Sequence, residues 1–389
     1  MRLIKLLLIC LSLILSACSS STSQDKDLNV LSNDYFMDDV FIGYENIQLE
    51  SEHDIYALDA DMHNFISGNI TSIADPYQRA HKILSNFFSQ SPHSIRYENS
   101  ADLIARESYH QNSANCLSLT ILTYALANAA GLKVQFQEVD IPEYWVRDGD
   151  FNVLNGHVNL RVIGSKANPF KIVWGRNDLV IDFDPYTAKR EFSHHIVSKD
   201  RITAMFYNNK GAKALADRDF PKAYAYLRQS IITDNQFSGA WGNLGLLYKL
   251  NNERATAEDA YNIAIDLKPT NYNTWNNLQI LLSDRGDTKG AEKISKMLNK
   301  ARKQNPYYHA LLANEAYHSN NFLLAIKLYK KARRMQPNEH EFYFGLAKSY
   351  YKLGDIKLSE YNLKKAKKLA PFKDLENKYQ SKLDLFTSL

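Results

Sequence analysis

The chain has 389 residues, too many for one ordinary domain and enough for two or three. Apolar residues make up 45% and charged residues 23%, a balance that excludes a disordered chain and a polytopic membrane protein. The net charge of +4 averages unlike parts: residues 1–17 carry two positive charges, residues 18–199 carry 14 Lys/Arg against 24 Asp/Glu, and residues 200–389 carry 31 against 19.

The N-terminus reads as an address. Arg2 and Lys5 precede a largely apolar run from Leu6 to Leu15, which suits a signal peptide and is too short to span a bilayer as a helix. The run ends in Leu15-Ser16-Ala17-Cys18, which resembles the bacterial lipobox. That resemblance implies removal of residues 1–17, lipidation of Cys18 and, because Ser19 rather than Asp follows, onward sorting to the outer membrane with the protein facing the periplasm. An ordinary signal peptide cut after Ala17 is the alternative. Residues 18–49 are expected to form the lipidated cysteine and a flexible tether, most plainly in the polar stretch from Ser19 to about Asp34. Cys10 leaves with the leader and Cys18 carries lipid, so Cys116 is the one free thiol of the mature chain. Such a thiol is either buried and inert or kept for its chemistry.

Residues 50–199 have the character of a separate α+β domain. Helical patterns run from about Asp54 to Gln90, interrupted near Asp75-Pro76. A turn-rich stretch from Tyr109 to Asn115 then leads into an apolar segment without Pro or Gly, Leu117 to Ala130, stopped by Gly131. Cys116 is therefore expected at the N-terminus of a buried helix capped by Asn115, a position that favours a thiolate. Lys133 to Asp140 alternates as a strand. A second strand, Gly156 to Val162, sets Val158, Leu160 and Val162 on one face and His157 and Asn159 on the other. A third, from Leu179, sets Ile181 and Phe183 on one face and Asp182 and Asp184 on the opposite one. Cys, His and Asp in this order suit acyl transfer: a thiolate attacks, an imidazole shuttles the proton, and a carboxylate orients the ring.

Asn115-Cys116-Leu117-Ser118, Gly156-His157-Val158-Asn159 and Ile181-Asp182-Phe183-Asp184-Pro185 resemble the transglutaminase-like superfamily, in particular bacterial members fused to tetratricopeptide repeats. The resemblance implies a papain-like α+β fold in which Cys116 is the nucleophile, His157 the general base and acid, and either Asp182 or Asp184 the orienting carboxylate. The oxyanion hole would use the Cys116 N–H, with Gln111 as a side-chain donor. Asn115 departs from the pattern, which often has Gly before the thiol, and Trp145 is the one candidate for the aromatic near the histidine.

Residues 200–373 read as a repeat array with a capping helix at 374–389. Asn235, Pro269, Pro306, Pro337 and Pro371 mark helix ends at intervals of 34, 37, 31 and 34. Small residues precede them at fixed offsets: Ala223, Ala257, Ala325 and Ser359, then Ser230, Ala264, Ala301, Ala332 and Ala366. With Tyr207, Trp241 and Trp275, and with Gly211 and Gly245, the pattern resembles the tetratricopeptide repeat, an all-α solenoid of helix pairs. Five units are expected, at 204–237, 238–271, 272–308, 309–339 and 340–373, the third irregular with Gln279 at a small-residue position.

Such an array binds a protein or peptide in its groove, and the excess of Lys/Arg favours an acidic partner. Lys327, Lys330, Lys331, Arg333, Arg334, Lys364, Lys365, Lys367 and Lys368 gather on the second helices of the last two units, where a solvated outer face is the plainer explanation. Nucleic acid does not fit a periplasmic lipoprotein. The sequence has no CxxC, HExxH or Gly-rich phosphate loop, and His194-His195 are adjacent in sequence, so neither a metal nor a cofactor is expected. Two functions fit: a thiol enzyme that cleaves or exchanges amide bonds on partners recruited by the repeats, or a non-catalytic scaffold carrying a degenerate transglutaminase-like domain.

Overall fold

The computed structural model describes residues 35–88, 95–141, 143–148, 151–163, 179–181, 183, 192–370 and 373–387. Ser51 and Asp59 start helices α1 (Glu52–Tyr56) and α2 (Ala60–Asn69) by accepting from Asp54 N and Met62 N. Pro76 opens α3 (Pro76–Phe88), where the missing N–H of proline costs nothing. Strand β1 (Arg96–Tyr97) pairs with β2 (Ser113–Ala114) around α4 (Ala105–Gln111). The apolar segment becomes α5 (Cys116–Ala129), buried along nearly its whole length. Gly131, at φ +72°, ends it: Leu132 N donates to the Ala127 carbonyl, and Arg79 Nη1 donates to the Ala130 carbonyl at 2.7 Å.

Four antiparallel strands form a sheet in the order β7 (Leu179–Ile181), β6 (Val158–Val162), β3 (Val134–Val139), β8 (His194–Val197). A separate hairpin, β4 (Tyr144–Asp148) and β5 (Phe151–Asn155), runs between β3 and β6 in sequence. Phe136 of β3 stacks on Tyr124 of α5 with ring centroids 4.4 Å apart, so α5 packs on the face shared by Phe136, Val158, Leu160 and Val162.

The solenoid follows without a linker. Its first helix is α6 (Lys199–Ala216), then come α7 (Phe220–Thr233), α8 (Ser238–Leu250), α9 (Arg254–Leu267), α10 (Tyr272–Asp284), α11 (Thr288–Arg302), α12 (Pro306–His318), α13 (Phe322–Met335), α14 (His340–Lys352), α15 (Ile356–Leu369) and the closing α16 (Lys373–Thr387). The first helices α8, α10, α12 and α14 start 34 residues apart, at 238, 272, 306 and 340, and the second helices keep the same spacing from 220 to 356. The irregular third unit expected from the prolines therefore disappears. Pro306 does not end a helix but begins one, with Asn305 Oδ1 accepting from Tyr307 N and Tyr308 N. The register shifts accordingly: Ala301 is exposed, and Leu298 fills the buried position it was assigned. Gly211 and Gly245 lie where a Cβ would stand 2.8 Å from Leu227 and 2.7 Å from Tyr261, so the paired helices can approach only without one.

The two halves dock. Ile202, Phe206 and Tyr207 of α6 belong to the core built on α5, whereas Ala214 and Leu215 of the same helix belong to the core of the repeats. Acidic residues of the first half meet basic ones of the second: Glu52 with Lys199, Glu50 with Lys210, and Glu138 with Arg201 and Lys268. Arg302 of α11 pairs with Glu143 through two hydrogen bonds of 2.8 and 3.0 Å, and Asn305 donates to the Glu143 carbonyl, so the hairpin strand β4 is held against α12.

Residues 35–50 correct another expectation. They are packed on the first two repeats rather than forming a tether. Phe41 is buried and stacks on Tyr224 at 4.5 Å, and Tyr248 Oη donates to the Tyr35 carbonyl. Burying Phe41 contributes about 2 kcal/mol. Asp38 accepts from Tyr224 Oη and from Arg228. Burial works against its charged form, but the hydrogen bonds from Tyr224 and Arg228 outweigh it and hold the carboxyl below its ordinary range. Among the described residues no helix is long and apolar enough to cross a membrane.

Arg302→Ala leaves Glu143 in a nearly buried site without its counter-ion, so the variant should lose about 3 kcal/mol in urea unfolding followed by circular dichroism. Lys296→Ala, which removes only an exposed pair with Glu292, should leave the midpoint unchanged.

Candidate functional site

Helix α5 starts at Cys116 because Asn115 is extended and its Oδ1 accepts from Ser118 N at 2.9 Å. The thiol thus stands in the first turn, among backbone N–H groups that lack helical partners. From the sheet, Val139 N holds the His157 carbonyl at 3.0 Å, one residue before β6 begins. His157 Nδ1 lies 3.5 Å from Cys116 Sγ, and the Val158 carbonyl lies 3.3 Å from the same sulfur. Forty-one residues apart in the chain, the two side chains meet where β6 begins. Cys116 is 7% exposed and His157 4%.

The other candidates divide. Asp182 and Asp184 lie outside the described residues, although Ile181 and Phe183 beside them are buried as the alternation implies. Cys18 also lies outside them, and only the backbone of Trp145 is described, in β4. Gln111 is exposed at the end of α4, and among the described residues no hydrogen bond joins it to Cys116 or His157. The exposed His195 lies 3.7 Å from Glu138, within the docking cluster.

Sequence reasoning missed a half-buried network behind the thiol. Asn115 Nδ2 donates to Asp102 Oδ1 at 2.6 Å, and Asn209 Nδ2 of α6 donates to the same oxygen at 3.2 Å. Ser118 Oγ donates to the Ala101 carbonyl and accepts from Leu103 N, which ties the segment around Asp102 to the first turn of α5. The residue that caps the thiol helix is thus wired to the first helix of the solenoid. Burial pushes the Asp102 carboxyl above its ordinary range, opposed by hydrogen bonds from Asn115 and Asn209 and by the charges of Lys210 and Lys213. Neither spacing nor composition distinguishes Asp102 from any loop aspartate.

Asp59, Asp61 and His110 each bring one oxygen or nitrogen within 4.8 Å of the others. Two internal contacts account for the group: Asp59 caps α2 through Met62 N, and its other oxygen pairs with His110 Nε2 at 2.5 Å.

A carboxyl whose folded pKa is raised costs stability once pH passes its unfolded value, and the cost is complete above the folded one. Asp102→Asn keeps an acceptor for both amides and removes that charge, so at neutral pH its urea midpoint should match or exceed that of the parent. Asp102→Ala strands both amide groups and should lose about 2 kcal/mol.

The tetratricopeptide-repeat family matches residues 310–374. A tetratricopeptide repeat-containing protein, trd-1, of Caenorhabditis elegans is 28% identical over 150 residues, which are 38% of this chain and 18% of that protein. The chain therefore spans under a fifth of the length of that relative. Among solved structures, YrrB, described as a tetratricopeptide-repeat protein with an unusual peptide-binding site, is 16% identical, with 46% of this chain and 92% of that one covered at a TM-score of 0.25. The pilF protein of Pseudomonas aeruginosa is 13% identical over 49% and 90% of the two chains, at a TM-score of 0.28. The family match falls on the last two helix pairs of the 34-residue period, and the chain carries a tetratricopeptide-repeat domain.

Proposed function

We propose that this protein is an interaction scaffold, in which the repeats recruit a protein or peptide partner of acidic character to the docked α+β domain. The observation that carries this reading is the unbroken 34-residue period, matched by the repeat family over residues 310–374. Successive first helices build a continuous recognition surface in such arrays. Lys348 of α14 donates to Asn314 of α12 at 3.0 Å and stands 4.5 Å from the ring centre of Tyr317, one step of such a surface. A leader ending in Leu15-Ser16-Ala17-Cys18 supports anchoring through lipid on Cys18, at the outer membrane and facing the periplasm. Partner capture by the full chain from its own cells should be abolished by Lys348→Glu and unaffected by Cys116→Ala. Capture that survives Lys348→Glu, or that needs the thiol, counts against the scaffold.

The separation of 3.5 Å between Cys116 and His157 favours a second reading, a transglutaminase-like thiol acyltransferase on a papain-like α+β fold. In it His157 Nδ1 takes the thiol proton as sulfur attacks an amide carbonyl carbon. The Cys116 N–H stabilises the oxyanion, and His157 returns the proton to the departing amine. Water or another amine then resolves the thioester, while Asp182 or Asp184 orients the ring. Both reacting side chains are buried, so a substrate reaches them only if the chain around them moves. Partner binding on the repeats needs no such movement. Under this reading iodoacetamide should label Cys116 rapidly at neutral pH, and His157→Ala should slow the labelling by about tenfold or more. A rate like that of a simple thiol, unchanged in the variant, removes the enzyme reading.

A further inference from the structure

Asparagine caps of three described helices donate their amides to different kinds of acceptor. Asn271 Nδ2, at the start of α10, donates to Ser238 Oγ, and Asn305 Nδ2, at the start of α12, donates to the Glu143 carbonyl. Both acceptors are neutral. Asn115, which starts the thiol helix, donates to a carboxylate, Asp102, with the Asn99 carbonyl farther off at 3.5 Å. An ionised carboxylate accepts and never donates. It therefore fixes which way the Asn115 amide faces, with Nδ2 toward Asp102 and Oδ1 toward Ser118 N. The same oxygen of Asp102 accepts from Asn209 Nδ2, so the carboxylate is held in turn by α6. Asn208, the preceding residue of that helix, accepts from Asn243 Nδ2 of α8 at 2.8 Å. One turn of α6 is thus tied both to the cap of the thiol helix and to the next first helix of the solenoid.

Stability does not account for this arrangement. The charge on Asp102 costs free energy at neutral pH, because burial holds its carboxyl above the ordinary range. Charges that the fold would be no worse without collect where chemistry uses them. Here the charge stands behind the first turn of α5, whose N–H groups and dipole act on Cys116. Lys210 and Lys213, also on α6, offset it, and His157 meets the sulfur at 3.5 Å. The geometry points to Asn209 and Asp102 as positioning residues of the thiol site: α6 holds Asp102, Asp102 holds the Asn115 cap, and the cap sets the turn that carries Cys116. This assignment rests on the thiol acyltransferase reading and adds a means of regulation to it. The site is complete only with α6 in place, so reactivity of the thiol depends on the docked solenoid.

The test is the rate at which iodoacetamide labels Cys116 in the full chain, followed from about pH 5 to about pH 9 by mass spectrometry of the peptide that carries it. Asp102→Asn removes a negative charge behind the helix N-terminus, so the pH of half-maximal labelling should fall by about half a unit. Asn209→Leu takes a donor from Asp102 and leaves its charge to act more strongly on the sulfur. The same midpoint should then rise by about half a unit. If Asn209→Leu loses helix, Lys213→Glu, which changes an exposed charge, must raise the midpoint instead. A merely structural role changes the rate by one factor at every pH and leaves the midpoint fixed, and that result overturns the assignment. Rapid labelling of the parent that depends on His157, with a midpoint that neither variant moves, also overturns it and leaves the acyltransferase reading standing. A parent that labels like a simple thiol, unchanged by His157→Ala, removes both.

Discussion

One helix decides how the molecule holds together. The first turns of α6 are buried in the core around α5, and its last turns are buried in the repeats. A helix is stiff over its 18 residues, so neither core can shift against the other without breaking it or emptying one of them. The ion pairs from Glu50, Glu52, Glu138 and Glu143 then act on surfaces already brought together. Their role is to set register along the solenoid, since Glu138 and Glu143 meet cations near the ends of two successive second helices, Lys268 and Arg302. Polar pairs of this kind specify geometry better than they add stability.

The charge asymmetry of the chain is thereby partly used up within the molecule. The acidic half neutralises basic groups of the first three units, and the excess that remains belongs to the last two and α16. An average over the sequence hides this, because partner choice is settled by charges left exposed after docking.

Much of the fold was legible from local patterns. Small residues at fixed offsets mark helix pairs because only they let backbones approach, and Ala223, Ala257, Ala325 and Ser359 are indeed fully buried. The third unit shifts because Pro306, expected to end a helix as Pro269 and Pro337 do, satisfies the first turn of one instead. The apolar α5, its Asn115 cap and its Gly131 stop followed from composition and turn chemistry. The pairing of Cys116 with His157 was expected from residue types and their order along the chain, not from any local pattern, since their approach depends on how a sheet lies against a helix. Asp102 and Asn209 were out of reach, because a hydrogen bond across 107 residues leaves no local trace. Residues 35–49 were included in the tether with the polar stretch before them for a related reason: the partners of their aromatic residues lie far along the chain.

That strap sets an order of events on the ribosome. Tyr35 finds its hydrogen-bond partner 213 residues later, at Tyr248, and Asp38 finds Arg228 after 190. Closing loops of such length is slow compared with forming neighbouring helix pairs. Phe41 therefore stays partly uncovered until the second repeat has been made, since Tyr248 as well as Tyr224 stacks on it. Residues 35–50 thus settle after the first two repeats although they are made before them, and their docking reports that those two repeats are complete.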